Sequence, residues 1–391
     1  MSYRRNVYIL GAGFSAEAGA PTVANFFRRS MELYKNPGSS LGDEGREIYK
    51  HIFDYRSSLE VAEYKVRIDP ENIEDLFGLA EMASQLNDPN AEAARKNLIY
   101  VILRTLELTT AGTPASGVDI AVRSGTSRKN IYVPWSLYDL FVQTAARRWL
   151  PFPAGGIAQD AIISLNYDLL VERAMEKPPP QELLRYRGLP TRRLLPLYGL
   201  PDETQYPEGQ SSNGDPPCRL RLFKLHGSAN WAICPTCKDH RVKVLGVEES
   251  SITAAPGSCD ECGKDMMGRL IVPPAWNKEE YLPALKSVWA GAAEAPSRAQ
   301  RIWIFGYSMP DVDKFFRYLL AIALQRNHDL DEVVIVNSNI DDCVRIGDAF
   351  RALNDRKKVL RQPTQISGYI GRGTTFQDQL GQLHPSHYVA W

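Results

Sequence analysis

Five segments of this chain share one pattern, an apolar run that ends in glycine or small polar residues. The runs end in GAGFS after residue 10, NYD after 165, HGS after 225, GYS after 305 and NSN after 336. Segments with helical spacing of apolar residues lie between them. Strands that alternate with helices predict a parallel, doubly wound sheet, and ligands of such sheets bind at the carboxyl ends of the strands. The pattern therefore predicts a Rossmann-like α/β fold in which five distant segments meet in one crevice.

The first of these segments, NVYILGAGFSAEAG (6–19), is typical of a strand, a glycine turn and the start of a helix. Gly11, Gly13 and Ala16 match the G-x-G-x-x-A spacing of dinucleotide-binding loops. In such loops the glycines permit a tight turn and close approach of a diphosphate, which backbone N–H groups then face. A plain strand–turn–helix fits the same residues, so this motif alone does not decide the function.

Four cysteines form the sharpest chemical signal in the chain. Cys234, Cys237, Cys259 and Cys262 are spaced as C-x2-C, 21 residues and C-x2-C. Two tight thiolate pairs suit a tetrahedral zinc ion, and the alternatives are redox-active pairs or disulfides. We predict a small zinc-ribbon module over residues 230–268 that holds one structural zinc per chain.

Composition narrows the class of protein. The 391 residues carry 46 basic and 46 acidic side chains, and 44% of the residues are hydrophobic. A net charge of zero gives no reason to expect direct nucleic-acid binding, and no apolar run reaches the roughly 18 residues of a membrane span. We expect a cytoplasmic protein with a mainly helical insertion over 25–150 and a proline-rich insertion over 177–217.

Together the motifs resemble the sirtuin family, and more closely its bacterial sirtuin-like branch, over most of the chain. GAGFSAEAGAP (11–21), LNYDLLVERA (165–174) and KLHGS (224–228) are similar to three motifs of the family. The double C-x2-C then follows in the order of the sirtuin zinc ribbon. The resemblance implies one NAD-binding catalytic domain over residues 1–391, with NAD consumed as a substrate.

The resemblance also implies roles for individual side chains. Asn166 would hold a water or a ribose hydroxyl near the nicotinamide ribose, and His226 would be a general base. Asp168 would contact the nicotinamide side, with capping of the following helix as an equal alternative. Ser15 and Thr22 would contact phosphate or ribose, or cap helices instead. The other expected cofactor contacts are Gly11, Ala12, Gly13, Phe14, Gly19 and Pro21, and on the adenosine side Gly306, Ser308 and Asn337.

Three departures from the lysine-deacylating members bear on the reaction. Leu165 stands where those members carry glutamine, and TVANFFRRS (22–30) stands where they carry Asp-Phe-Arg. AWNKEEY (275–281) replaces the Phe-Gly strand that pairs with a substrate peptide. The resemblance therefore favours an NAD+ glycohydrolase that releases nicotinamide and ADP-ribose. A protein lysine deacylase and a non-catalytic NAD or ADP-ribose sensor are the alternatives.

The resembled branch occurs in bacterial anti-phage systems that deplete NAD, which implies that this chain is the effector of such a system. Unregulated hydrolysis of NAD would kill the host. We therefore expect control by homo-oligomerisation or by a partner in trans, an ATPase or a nucleic-acid sensor. Residues 25–150 or 177–217 would supply the contact.

Overall fold

The structure, a computed structural model, describes residues 5–59, 65, 68–112, 118–124, 127–133, 136–146, 157–177, 194–201, 218–234, 236–237, 241–247, 250–272, 282–310, 313–350, 358–371 and 389–390. The strands are β1 (Asn6–Leu10), β2 (Val118–Ser124), β3 (Ser127–Val133), β4 (Ile157–Ser164), β5 (Leu194–Leu197), β6 (Cys218–Lys224), β7 (Gly227–Ile233), β8 (Val242–Val244), β9 (Met267–Ile271), β10 (Arg301–Phe305), β11 (Glu332–Asn337), β12 (Lys358–Pro363) and β13 (Val389–Ala390). The helices are α1 (Ala12–Ala16), α2 (Phe26–Lys35), α3 (Gly42–Ser58), α4 (Ile73–Gln85), α5 (Pro89–Thr110), α6 (Leu137–Ala146), α7 (Leu170–Glu176), α8 (Leu282–Ser297), α9 (Lys314–Gln325), α10 (Ile340–Ala349) and α11 (Ile366–Gly371), with a 3₁₀ turn at Val23–Asn25. Among these described helices, none combines the length and the hydropathy that a bilayer span requires.

Seven parallel strands form the central sheet in the order β12-β11-β10-β1-β4-β6-β5. The chain starts in the middle with β1, adds β4, β6 and β5 on one side, and later adds β10, β11 and β12 on the other. The strand order therefore reverses beside β1, which is where open α/β sheets form their ligand crevice. The predicted doubly wound parallel sheet is confirmed.

The core follows from strands that are covered on both faces. Every residue of β1 and β10 is buried, as near-continuous apolar runs in a parallel sheet predict. Tyr8, Phe14, Phe141, Trp303 and Phe305 pack as one aromatic group under the carboxyl end of β1. The end of the sheet that carries the predicted crevice thus rests on a rigid support.

Helices α2 to α5 form a second hydrophobic core within the predicted helical insertion. In α4 the buried side chains are Ile73, Leu76, Phe77 and Ala80, the stripe expected from helical spacing. The Asn72 side chain caps this helix by accepting from the N–H of Glu74 at 2.8 Å. Beyond α5, β2 and β3 pair as an antiparallel hairpin within the mainly helical insertion.

The four cysteines belong to a separate small module in which β7 pairs antiparallel with β8 and β9. The strand β9 follows the last of the four cysteines and belongs to the module as well. Within the predicted proline-rich insertion, Leu194–Leu197 form the edge strand β5 of the main sheet, and 178–193 and 202–217 lie outside the described residues. Pro196 is tolerated there because an edge strand has a side without ladder hydrogen bonds.

Candidate functional site

The five predicted segments lie along one edge of the sheet. They follow β11, β10, β1, β4 and β6, which are consecutive neighbours in the strand order. Leu10 aligns with Phe305 on one side and with Ser164 on the other, so the carboxyl ends are level. Asn166, His226, Gly306 and Ser308 are half-buried at this edge, while Ala12 is exposed. The structure therefore brings these predicted residues to the same edge of the sheet.

The glycines of the first loop are explained by a second glycine loop, the one that follows β10. The N–H of Gly11 donates to Phe305 O at 3.0 Å, and the N–H of Gly13 donates to Gly306 O at 2.8 Å. A Cβ on Gly11 would lie 2.5 Å from the Cα of Tyr307, and one on Gly306, whose φ is +57°, would lie 2.2 Å from the N of Phe14. The close approach that the glycine spacing predicts is therefore an approach of the loop after β10 to the loop after β1. Within the first loop, Ala12 is exposed and Gly13 is half-buried.

Other predicted residues of this region shape the loop from behind. Phe14 is 1% exposed, and its ring packs edge-on against Tyr138 and Phe141. Gly19 has φ +98°, and a Cβ there would lie 2.7 Å from Thr109 O of α5. Pro21 is buried, and the N–H of Thr22 donates to Asn25 Oδ1 at 2.8 Å, which is the capping alternative for that residue.

Asn166 is fixed by the first loop. Its Nδ2 donates to Gly11 O and to Ser15 Oγ, each at 2.9 Å, and a carbonyl acceptor determines the orientation of the amide. Ser15 in turn donates to Asp168 Oδ2 at 2.6 Å, and Asp168 Oδ1 accepts from the N–H of Leu170 at 3.1 Å. Asp168 therefore caps α7, as one of the two predictions has it. The Oδ1 of Asn166 accepts no hydrogen bond from the described part of the chain and is available to a ligand.

A buried ion pair below the crevice was not found from the sequence. Lys224 Nζ lies 3.0 Å from Glu172 Oε1, with the side chains 1% and 3% exposed, and it also donates to Asp168 O. Burial raises the pKa of Glu172, and the charge of Lys224 acts against that rise. The sequence signal for this pair is Lys224, which lies between Phe223 and Leu225 at the apolar end of the run RLRLFKL (219–225). This pair holds the turn that carries Asn166 and Asp168.

His226 lies beside Asn166 and is held from several sides. Its Nδ1 is 3.2 Å from Leu165 O, and its Nε2 is 3.5 Å from Asp313 Oδ1. The N–H of Val272 donates to the carbonyl of His226 at 2.7 Å. Gly227 follows with φ +80°, where a Cβ would lie 2.2 Å from Leu270 O. Residue 227 therefore has to be glycine, and the His226 side chain lies next to Leu165, the residue before Asn166.

On the other side of β1, the expected adenosine contacts are partly committed to the protein. Asn337 Nδ2 donates to Tyr307 O at 3.2 Å, and Asn337 Oδ1 accepts from the N–H of Asn339 at 3.0 Å. Gly306 packs against the first loop, whereas Ser308 is half-buried at the edge. Asn337 therefore shapes the turn after β11, and Ser308 is the more accessible group.

A cavity of about 220 Å³ adjoins the Asn166–Asp168 turn. Its walls come from α5, from Asp168 and the start of α7, and from Val247 and 250–252 next to the four-cysteine module. Three charged residues line the cavity, the acidic Glu107 and Asp168 and the basic Arg173. The helical insertion is thus in contact with the residues of the crevice.

The four predicted metal ligands converge. Their Sγ atoms all lie within 4.8 Å of one another, with Cys234–Cys262 at 3.5 Å and Cys237–Cys259 at 3.8 Å. Tetrahedral zinc with Zn–S bonds of about 2.3 Å separates its sulfurs by about 3.8 Å, so the spacing fits that ion. Desolvation acts to raise the pKa of the Cys234 thiol, but hydrogen bonds from the N–H groups of Cys237 and Thr236 outweigh it and lower the pKa to about 6. The donor set suits a structural zinc.

Comparisons with known proteins give a likeness of fold. No family model matches the chain, and no curated protein matches it. A structure from a study of sirtuin substrate affinity has a TM-score of 0.39 and 14% identity over 94% of this chain and 92% of that one. Sir2Tm bound to a propionylated peptide gives 0.37 and 13% over 97% and 94%. Sir2 with the inhibitor EX-527, 2'-O-acetyl-ADP-ribose and a deacetylated p53 peptide gives 0.36 and 14% over 97% and 94%. At these values no ligand or reaction is transferred, and the sheet itself defines a Rossmann-like α/β fold with a four-cysteine module.

Proposed function

We propose that this chain is an NAD+ glycohydrolase that converts NAD+ and water to nicotinamide, ADP-ribose and a proton. The observation that supports this most is the arrangement around Leu165 O. An amide whose Oδ1 accepts no hydrogen bond from the described residues and an imidazole lie at neighbouring strand ends, beside the loop that contains the exposed Ala12. Such a crevice at the switch point of a parallel sheet is the usual position of a dinucleotide.

In the proposed complex the dinucleotide lies along the carboxyl edge of the sheet. The diphosphate faces the main chain of Ala12–Gly13, and the adenosine extends toward Gly306, Ser308 and Asn337. The nicotinamide ribose lies between Asn166 and His226. Along this edge Ala12 is exposed, and Ser308 and His226 are half-buried.

The chemistry requires one bond to break and one to form. The glycosidic C–N bond breaks with its electron pair going to nicotinamide, which leaves as a neutral ring, and an oxocarbenium-like sugar remains. Water attacks that carbon while Asn166 Oδ1 accepts one of its hydrogens and His226 Nε2 takes the proton. The Nδ1 of His226 donates to Leu165 O, so the basic lone pair of the neutral ring is on Nε2.

Hydrolysis is favoured over protein deacylation by Leu165, which lies where deacylating sirtuins carry glutamine. The segment 275–281, which bears on peptide binding, lies outside the described residues. An anti-phage effector role, homo-oligomerisation and a regulatory partner in trans belong to the same proposal. The cavity shared by α5 and Asp168 supports a regulatory contact through the helical insertion.

The test is chromatography of NAD+ incubated with purified protein and with Asn166→Ala and His226→Ala. Each variant is expected to lose at least about 100-fold in kcat, since a positioned base contributes about that much. The chain offers a matched control in its helical insertion, where Asn97 and His51 contact each other at 3.1 Å. Asn97→Ala and His51→Ala should retain the wild-type rate.

Three outcomes separate the hypotheses. Equal turnover in Asn166→Ala, His226→Ala and wild type would remove both residues from the mechanism. Release of nicotinamide only when an acylated lysine peptide is added would identify a deacylase. Binding of NAD or ADP-ribose without turnover, across a range of protein concentrations and with candidate activators, would identify a sensor.

A further inference from the structure

The imidazole of His226 is contacted at both of its nitrogens, by groups from opposite halves of the sheet. Nδ1 faces Leu165 O, at the end of β4. Nε2 faces Asp313 Oδ1 at 3.5 Å, and Asp313 lies directly before α9, on the far side of β1. The side chains are 12% and 9% exposed. The contact therefore spans the crevice above β1 and β4.

The two contacts have different requirements for protons. A carbonyl oxygen only accepts, so Nδ1 of His226 carries a hydrogen in either protonation state. A carboxylate attracts Nε2 only when that atom is also protonated, and it repels the lone pair of the neutral ring. The pair is thus favourable for the imidazolium, the form that His226 takes after it accepts a proton from water.

We propose that Asp313 is a positioning residue for the reaction, which orients the imidazole of His226 across the crevice and stabilises the protonated ring that hydrolysis produces. This inference rests on the proposed function. In the step itself, water gives its oxygen to the sugar carbon and one proton to Nε2. Asp313 stays ionised and pairs with the resulting imidazolium at that same nitrogen.

Asp313 is held for this task. Tyr307 OH donates to its Oδ2 at 3.1 Å, while Oδ1 faces the histidine. The N–H of Asp313 donates to Pro310 O at 3.1 Å, and Met309 before it has φ +51°, an uncommon conformation for methionine. Burial raises the pKa of Tyr307, and Asp313 raises it further, so the phenol stays a donor. The carboxylate is therefore held by the Tyr307 hydroxyl, and its main chain is held by Pro310 O.

The other carboxylate near the crevice has a different task. Both oxygens of Asp168 accept within the protein, from Ser15 and from the N–H of Leu170. Among the described residues, Tyr167 also lies near the pair, with its ring 6.3 Å from the imidazole, and Arg317 and Glu74 act electrostatically on Tyr307. The contact between Nε2 of His226 and a carboxylate is made by Asp313.

The experiment compares wild type with Asp313→Asn and Asp313→Glu. The control is Asp348→Asn, because Asp348 is an exposed residue of α10. First, ¹⁵N NMR of histidine-labelled protein follows the ring nitrogens of His226 against pH, with no substrate. We expect the pKa of His226 to be lower in Asp313→Asn than in wild type, because the attraction that favours the imidazolium is removed. Asp313→Glu should recover part of the difference, and Asp348→Asn should match wild type.

Second, kcat for NAD+ is measured against pH. In Asp313→Asn the acidic limb should move to lower pH, and the maximal kcat should fall by at least about tenfold with little change in KM. An unchanged NMR titration and an unchanged acidic limb in a folded Asp313→Asn would overturn the inference. If the NMR shift occurs but wild type does not hydrolyse NAD+, the pairing stands and the proposed function fails.

Discussion

Two buried aspartates, Asp160 within β4 and Asp168 beyond its carboxyl end, have the same chemistry and different consequences. Asp160 is 0% exposed and accepts from the N–H of Asn6 at 2.8 Å and from Asn6 Nδ2 at 3.1 Å. Asp168 is 7% exposed and accepts from Ser15 Oγ and from the N–H of Leu170. Asp160 ties one strand to its neighbour, whereas Asp168 ties a loop and a helix to the turn that carries Asn166.

The difference follows from the direction of the strands. At the amino end, side chains close the sheet with strand-to-strand contacts, such as Trp303 Nε1 to Asn6 Oδ1 at 3.2 Å and the Arg301–Glu332 ion pair at 2.6 Å. At the carboxyl end the strands continue into loops, and Asn166 and His226 remain half-buried beside them. Buried polar residues therefore connect strands at one end of the sheet and shape the candidate site at the other.

The largest expected effect on stability tests the amino end. Asp160→Ala leaves the N–H and the amide of Asn6 without their acceptor, at a cost of about 1–3 kcal/mol per buried group. We expect the free energy of unfolding to fall by about 3–5 kcal/mol in urea denaturation. The rate of NAD+ hydrolysis per folded molecule should stay at the wild-type value. A large loss of that rate in Asp160→Ala would break the contrast between the two ends.

A serine pair gives a sharper test of the carboxyl end. Ser15→Ala removes the bridge between Asn166 and Asp168, so we expect a loss of about 1 kcal/mol in stability and roughly tenfold in kcat. Ser30 is a matched control, because it is 0% exposed in α2 and donates to Phe26 O at 2.9 Å. Ser30→Ala should lose similar stability and no kcat. Equal kcat values for the two variants would mean that the bridge does not position Asn166.

A third test concerns the buried Lys224–Glu172 pair below the crevice and the pH dependence of stability. Burial raises the pKa of Glu172, with Lys224 acting against it, so above about pH 4.5 the native state keeps a proton that the unfolded chain releases. The contribution of this group to stability therefore falls as pH rises from there through the raised pKa, by at most about 1.4 kcal/mol per pH unit. Denaturation from pH 5 to 8 should show a steeper loss in wild type than in a Glu172→Gln/Lys224→Met double variant. Parallel curves for the two proteins would show that Glu172 does not titrate in this way.

Much of this architecture is predictable because its signals are local. The buried runs of β1, β10 and β11, the stripe of α4 and the four-cysteine spacing each depend on residues that are close in sequence. The short edge strand β5 was not predicted, since its four residues include a proline and form a strand only by pairing with β6. The strand β12 was not predicted either.

By itself the sequence determined the residue types that each strand end offers, namely glycines, Asn166, His226 and the paired cysteines. Only the tertiary structure decided which groups hold them. Asn166 is oriented by Gly11 and Ser15, and His226 faces Asp313, which lies far along the chain. Periodicity and spacing report local geometry, while such partnerships depend on the order of strands in the sheet, which brings the end of β6 opposite the loop that follows β10.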